Sequence, residues 1–193
     1  MTEKPDFYDS EFDEHFAVAA ATRDAVRSEF TELLECSLKA TQAGGKILLF
    51  GNGGSAGDAQ HIATELTVRY VQDRAPIAAI ALTTDTSALT AIGNDMGFDA
   101  LFARQIAALG RPGDLAIGIS TSGRSPNVIE GLKTAKAMGL QAAGLSGRDG
   151  GGMVGLATPL LIVPSNTTAR IQEMHITLGQ MLCGALEKEL GLI

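Results

Sequence analysis

A chain of 193 residues, 45% apolar and 19% charged, has enough material for one domain with a real core and little for two. That composition excludes a wholly disordered chain, and no apolar run approaches the length of a membrane span. Fifteen Lys and Arg against 22 Asp and Glu give a formal charge of −7. That balance argues against non-specific nucleic-acid binding but leaves room for a local pocket holding a small anion.

Residues 1–18 are acidic and carry aromatics. They lack a basic stretch followed by an apolar run, so no secretory leader is expected there. They read either as a loose arm or as a short docking helix. Residues 19–193 read as a single domain. Ala19 to Thr41 has helical spacing, with Val26, Phe30, Leu33, Leu34, Cys36 and Leu38 as its apolar set, and Gly44-Gly45 ends it. Lys46–Phe50, KILLF, is a short solid apolar strand. It runs into GNGGSAGD, and a helix follows from about Ala56 to Tyr70.

The same alternation then recurs. Pro76–Leu82 is a second strand, TTDTSALTAIGND a turn with a short helix, and the segment from Phe98 an amphipathic helix. Asp114–Ser120 is a third strand, followed by STSGRSP and a helix from Pro126 to Met138. LQAAGLS and TPLLIVP are the fourth and fifth strands, separated by GRDGGG. A last helix runs from about Ala169 to Leu190, with a wide stripe of Ile171, Met174, Leu178, Met181, Leu182, Ala185 and Leu186. Either the core or a second subunit covers that stripe. Strands that are apolar throughout and alternate with helices indicate a parallel sheet covered on both faces. The expected architecture is a three-layer α-β-α sandwich, flavodoxin-like, with about five parallel strands and long terminal helices. Cys36 and Cys183 lie in apolar helical patterns and read as reduced core residues in a cytoplasmic protein.

Ligands in such folds bind beyond the carboxyl ends of the strands. Two loops there are rich in small polar groups. Gly51, Asn52, Gly53, Gly54 and Ser55 follow the first strand. They form either a plain tight turn or a loop whose N–H groups approach a ligand. The pattern is neither GxGxxG nor a P-loop. Ser120, Thr121, Ser122 and Ser125 follow the third strand, with Ser125 placed to cap a helix and Pro126 at its first position. Hydroxyls and a helix N-terminus together suit a phosphate; capping alone is the plainer alternative. His61 and Glu65 stand four apart and share a helix face, either as a functional pair or as a chance pair on a packed or solvated surface. Asn94 and Asp95 either meet a hydroxylated ligand or cap a turn. On the last helix, Gln180 lies two turns beyond Gln172, roughly 80° away around the axis. His175 stands well off Gln180 in angle and cannot simply take its place.

The blocks GNGGSAGDAQHIATEL, ALTTDTSALTAIGND, GISTSGRSPNV, GRDGG and RIQEMHI, in this order over about residues 20–190, resemble the phosphoheptose isomerase branch of the sugar isomerase (SIS) domain family. The resemblance implies isomerisation of sedoheptulose 7-phosphate to D-glycero-D-manno-heptose 7-phosphate through an enediol, in a homotetramer whose sites are built by neighbouring subunits. It implies that Asn52, Gly53 and Gly54 line the sugar phosphate site and that Ser120, Thr121, Ser122 and Ser125 hold the phosphate. Asn94, Asp95 and Gln172 would contact substrate, and Glu65 matches the catalytic carboxylate. His61, Glu65 and Gln172 match three zinc ligands. The family has a histidine, both acid/base and fourth ligand, where this chain has Gln180. Gln cannot exchange a proton near neutrality, although its amide oxygen can coordinate a metal weakly. The expected enzyme is therefore impaired, with one zinc per subunit held weakly or not at all. The alternative reading is a non-catalytic SIS-domain interaction protein, similar to the family's replication-initiator-associating branch.

Overall fold

The computed structural model describes residues 6–193. The first five residues of the acidic segment lie outside the described residues. Five parallel strands form one sheet: β1 (Ile47–Gly51), β2 (Ala79–Ala81), β3 (Leu115–Ser120), β4 (Gln141–Gly147) and β5 (Leu160–Val163), in the order β2-β1-β3-β4-β5. This is the flavodoxin-like order, in which the chain changes direction of growth between β1 and β3. β2 is shorter than the apolar run 76–82 suggests. It is an edge strand with one neighbour, and Pro76 has no N–H for a ladder.

Side chains alternate across the sheet, so both faces are apolar and both are covered. Ile47 and Leu49 of β1 face one layer, where they meet α2 (Arg27–Gln42), α3 (Gly54–Thr67) and α7 (Thr168–Glu189). Leu48 and Phe50 face the other, where they meet α4 (Thr86–Asp95), α5 (Leu101–Leu109) and α6 (Pro126–Ala137). The result is the expected three-layer sandwich. Core packing takes most of the α7 stripe: Ile171, Met174, Leu178, Leu182 and Leu186 are buried, whereas Met181 is exposed.

The N-terminal helices differ from the single helix expected over 19–41. α1 (Phe7–Ala25) begins well before Ala19, and the chain breaks at Val26 before α2. The two halves serve different surfaces. Val18 of α1 packs on Val163, Ile171 and Met174, whereas Leu33 and Ala40 of α2 join the layer on the sheet. Polar straps fasten α1 to the start of α7: Glu11 accepts from Arg170, Glu14 from Thr167, and His15 Nδ1 lies 2.8 Å from Glu173 Oε2. Its aromatic residues Phe7, Tyr8, Phe12 and Phe16 remain exposed. Cys183 is buried, where burial pushes its thiol up to about 12, and Cys36 is half-buried. Among the described residues no helix is long and apolar enough to cross a membrane.

Candidate active site

The two polar loops leave the carboxyl ends of β1 and β3, which are neighbours in the sheet. They therefore flank the switch point of the topology, the place where ligands bind in folds of this kind. Helix α3 starts directly after the first loop and α6 directly after the second, and neither has a side-chain cap. Gly53 sits before α3 at φ 55° and ψ −121°, a conformation open to glycine. Gly54 has a different reason to be glycine: a Cβ there would run into the Gln172 amide of α7. The plain-turn reading of this loop thus misses its contact with a second element.

Ser125 occupies the N-cap of α6 and Pro126 its first turn, as expected, but the Ser125 hydroxyl does not bond the helix N–H groups. It turns to Ser120 Oγ at 3.1 Å. Pro126 has no N–H, and the Val128 and Ile129 N–H groups both donate to Ser125 O at 3.1 Å, so the Asn127 N–H is the one in the first turn of α6 left without an acceptor among the described residues. Ser122 Oγ accepts from Arg124 N at 3.2 Å, and Arg124 pairs with Asp149 at the exposed rim. Thr121 and Ser122 are half-buried. The two loops are joined by a reciprocal amide pair: Asn52 Nδ2 donates to Asn127 Oδ1 at 2.8 Å, and Asn127 Nδ2 to Asn52 Oδ1 at 2.9 Å. The pair takes up one N–H and one oxygen lone pair of each amide and leaves the others open.

Asn127 is a residue that motif reading misses. It is a buried polar side chain in the first turn of α6. The available signal was an amide next to Val128 on the inward face, opposite another amide in the facing loop.

A second group forms further along α3. His61 Nε2 lies 3.1 Å from Glu65 Oε1, and Gln180 Nε2 on α7 lies 3.4 Å from His61 Nε2. The i, i+4 pair is thus real and faces α7, with His61 about half exposed. Asp58 lies one turn before His61. Burial pushes its carboxyl up to about 6, partly countered by the nearby His61, and its Oδ2 has no partner among the described residues.

The carbonyls of Glu65 and Leu66 each accept from the Arg74 guanidinium at 2.7 Å. Arg74 is in turn held by Glu187 of α7 at 2.7 Å, with both side chains buried. This pair anchors the backbone beneath Glu65, and sequence pattern alone gives no sign of it.

Of the four residues expected as zinc ligands, His61 touches Glu65 and Gln180, while the Gln172 amide lies against Gly54 at the start of α3. Among the described residues no three of His, Cys, Asp and Glu cluster in a way that holds a metal. One imidazole, one carboxylate and one neutral amide fall short of a usual zinc set. Asn94 and Asp95 end α4, exposed and bonded to one another at 2.7 Å. They do not cap that helix; Asp85 does, accepting from Ala88 N at 3.0 Å.

The SIS domain family model matches residues 12–147 of this chain. Among curated proteins, the phosphoheptose isomerase of Paramagnetospirillum magneticum is 60% identical over 181 residues, 94% of each chain. Among solved structures, the phosphoheptose isomerase of Neisseria gonorrhoeae superposes with a TM-score of 0.88 at 44% identity, over 94% of this chain and 97% of that one. The phosphoheptose isomerase of Francisella tularensis gives 0.90 at 33% identity, over 94% and 96%. The chain belongs to the phosphoheptose isomerase family of SIS-domain enzymes.

Proposed function

We propose that the chain interconverts sedoheptulose 7-phosphate and D-glycero-D-manno-heptose 7-phosphate, slowly, as a cytoplasmic step of heptose biosynthesis. The observation that carries this reading is the pair of uncapped helix starts at the β1/β3 switch point, with the Ser125 hydroxyl turned from its helix toward Ser120. The phosphate would take the N–H groups left open at the two helix starts, Gly54 of α3 and Asn127 of α6, and the hydroxyls of Ser120, Thr121, Ser122 and Ser125. The backbone of Asn52, Gly53 and Gly54 would line the sugar. Gln172 beside Gly54, with Asn94 and Asp95, would meet its hydroxyls.

In the forward direction a base removes a C1 proton while O2 gains one, giving the enediol. The C1–C2 pair then collapses as O1 loses its proton and C2 gains one. Glu65 is the carboxylate for the carbon protons. The oxygen protons need a titrating partner, and Gln180 cannot be one. The loss of one positioned proton-transfer group costs roughly 10²- to 10⁴-fold.

Distance supports assembly into a homotetramer with shared sites. Glu65 is about 16 Å of helix rise from Gly54, further than a heptose reaches from its anchored phosphate. The exposed aromatics of α1 and Met181 of α7 offer apolar faces for neighbouring copies. The charge of −7 gives no footing for direct contact with nucleic acid. Zinc, with His61, Glu65, Gln172 and Gln180 as its donors, would be held weakly or not at all. Protein purified without added metal should carry far less than one zinc per chain, and a full complement would overturn that.

One observation favours a second reading, the non-catalytic SIS-domain interaction protein: the amide at position 180. Incubation with sedoheptulose 7-phosphate, followed by NMR, separates the two. Slow formation of the aldose, abolished in Glu65→Gln, supports the isomerase. Binding without any product supports the interaction protein, and no binding overturns the phosphate site itself.

A further inference from the structure

His175 is the one histidine of the chain that is fully buried, and neither the phosphate cradle nor the Glu65 cluster includes it. It lies one turn beyond Gln172 on the inward face of α7, among apolar neighbours in sequence such as Ile171, Met174 and Leu178. Its Nε2 is 3.0 Å from Ser146 O. A carbonyl can only accept, so Nε2 carries the proton and donates. Nδ1 has no partner among the described residues, and burial holds the ring down at about 4, only partly offset by the Ser146 bond. The ring is therefore neutral at physiological pH and is no substitute for a proton-exchanging group at position 180. A leucine would fill this place without leaving a nitrogen unpaired. What the imidazole adds is the single bond from Nε2.

That bond leads to the cradle. Ser146 stands on β4 in register with Ser120 of β3. The Ser146 hydroxyl donates to Ser120 O at 3.1 Å, and Ser120 Oγ meets Ser125 Oγ. Three hydrogen bonds, joined to one another through the covalent frames of Ser146 and Ser120, thus connect α7 across the ends of β4 and β3 to the start of α6. We propose that His175 is a positioning residue for the phosphate cradle, fixing through Ser146 where the Ser120 and Ser125 hydroxyls stand. The inference rests on reading that cradle as the phosphate site.

The test is calorimetric binding of sedoheptulose 7-phosphate to the full chain, with steady-state kinetics alongside. His175→Leu removes the donor, His175→Gln keeps an N–H at the position of Nε2, and Ser146→Ala cuts the next bond. His175→Leu should raise Kd and KM about tenfold with kcat nearly unchanged, and His175→Gln should restore most of the affinity. Combining His175→Leu with Ser146→Ala should weaken binding no further than the worse single change, because both cut the same connection. Parent-like binding by His175→Leu, equal loss in the Leu and Gln forms, or effects that multiply would each overturn the inference while leaving the phosphate site standing. If His175→Leu does not fold, Ser146→Ala against His175→Gln decides: only the first should bind weakly. A parent chain that binds no sugar phosphate overturns the phosphate reading, and this inference with it.

Discussion

The two ends of helix α3 are built differently. At its N-terminus, two loops are locked to each other by the Asn52–Asn127 amide pair, Ser120 is buried, and Gln172 closes against Gly54. Towards its C-terminus, His61, Glu65 and Gln180 touch at the surface of the chain through contacts of 3.1 and 3.4 Å. The first region is made from what any doubly wound sheet supplies: strand ends, helix starts and small side chains. It can be finished within one chain. The second joins an imidazole and a carboxylate to an amide. Under the proposed function the first anchors the phosphate and the second moves protons, so changes at one end of α3 should leave the other recognisable.

The sharpest way to break the separation is through the support beneath Glu65. Arg74→Ala leaves Glu187 buried without its partner and frees the carbonyls of Glu65 and Leu66. Removing one member of a buried pair costs about 3–5 kcal/mol, so chemical denaturation should show a large loss of stability. Ser125→Asp attacks the other end. A carboxylate placed where the phosphate belongs should weaken sedoheptulose 7-phosphate binding by roughly 100-fold or more. The thermal melting point should move little, since Asp also serves at an N-cap. Unchanged affinity would mean that the phosphate goes elsewhere.

Asp58, between the two regions, gives a smaller and pH-dependent effect. Its carboxyl titrates near 6 in the fold, above its ordinary value of 3.8, because burial opposes the charge. A raised pKa means that the folded chain binds the proton more tightly. The stabilising contribution is therefore full below the ordinary carboxylate range and is lost as pH rises through 6. Asp58→Asn should melt at a higher temperature than the parent at pH 8, with the gap closing as pH falls toward 4. A gap independent of pH would contradict the burial argument.

Much of the fold was legible because parallel strands buried on both faces have no polar alternation to disguise them. KILLF and DLAIGIS read directly as strands, and the helices between them follow from spacing. The break at Val26 was not legible, because each side of it is good helix. What divides them is that α1 packs on α7 and β5 while α2 packs on the sheet. At the site, the serine loop and the glycine loop could be found from residue type and place. Asn127, Ser146 and His175 could not. Their contacts depend on strand register and on a helix packed from the far end of the chain, neither of which local spacing encodes. Gln172 and Gln180 show the same limit in reverse. They lie on one helix, but the partners they meet, Gly54 and His61, are two turns apart on another.

The central claim is that this chain keeps its phosphate anchor and lacks one proton-transfer partner. Gln180→His tests it most directly when kcat and the Kd for sedoheptulose 7-phosphate are measured on the same preparations. The account predicts a rate at least tenfold higher, and by as much as about 10²- to 10⁴-fold if the imidazole is well placed, with Kd nearly unchanged. A rate that stays where it was, with binding intact, would contradict it.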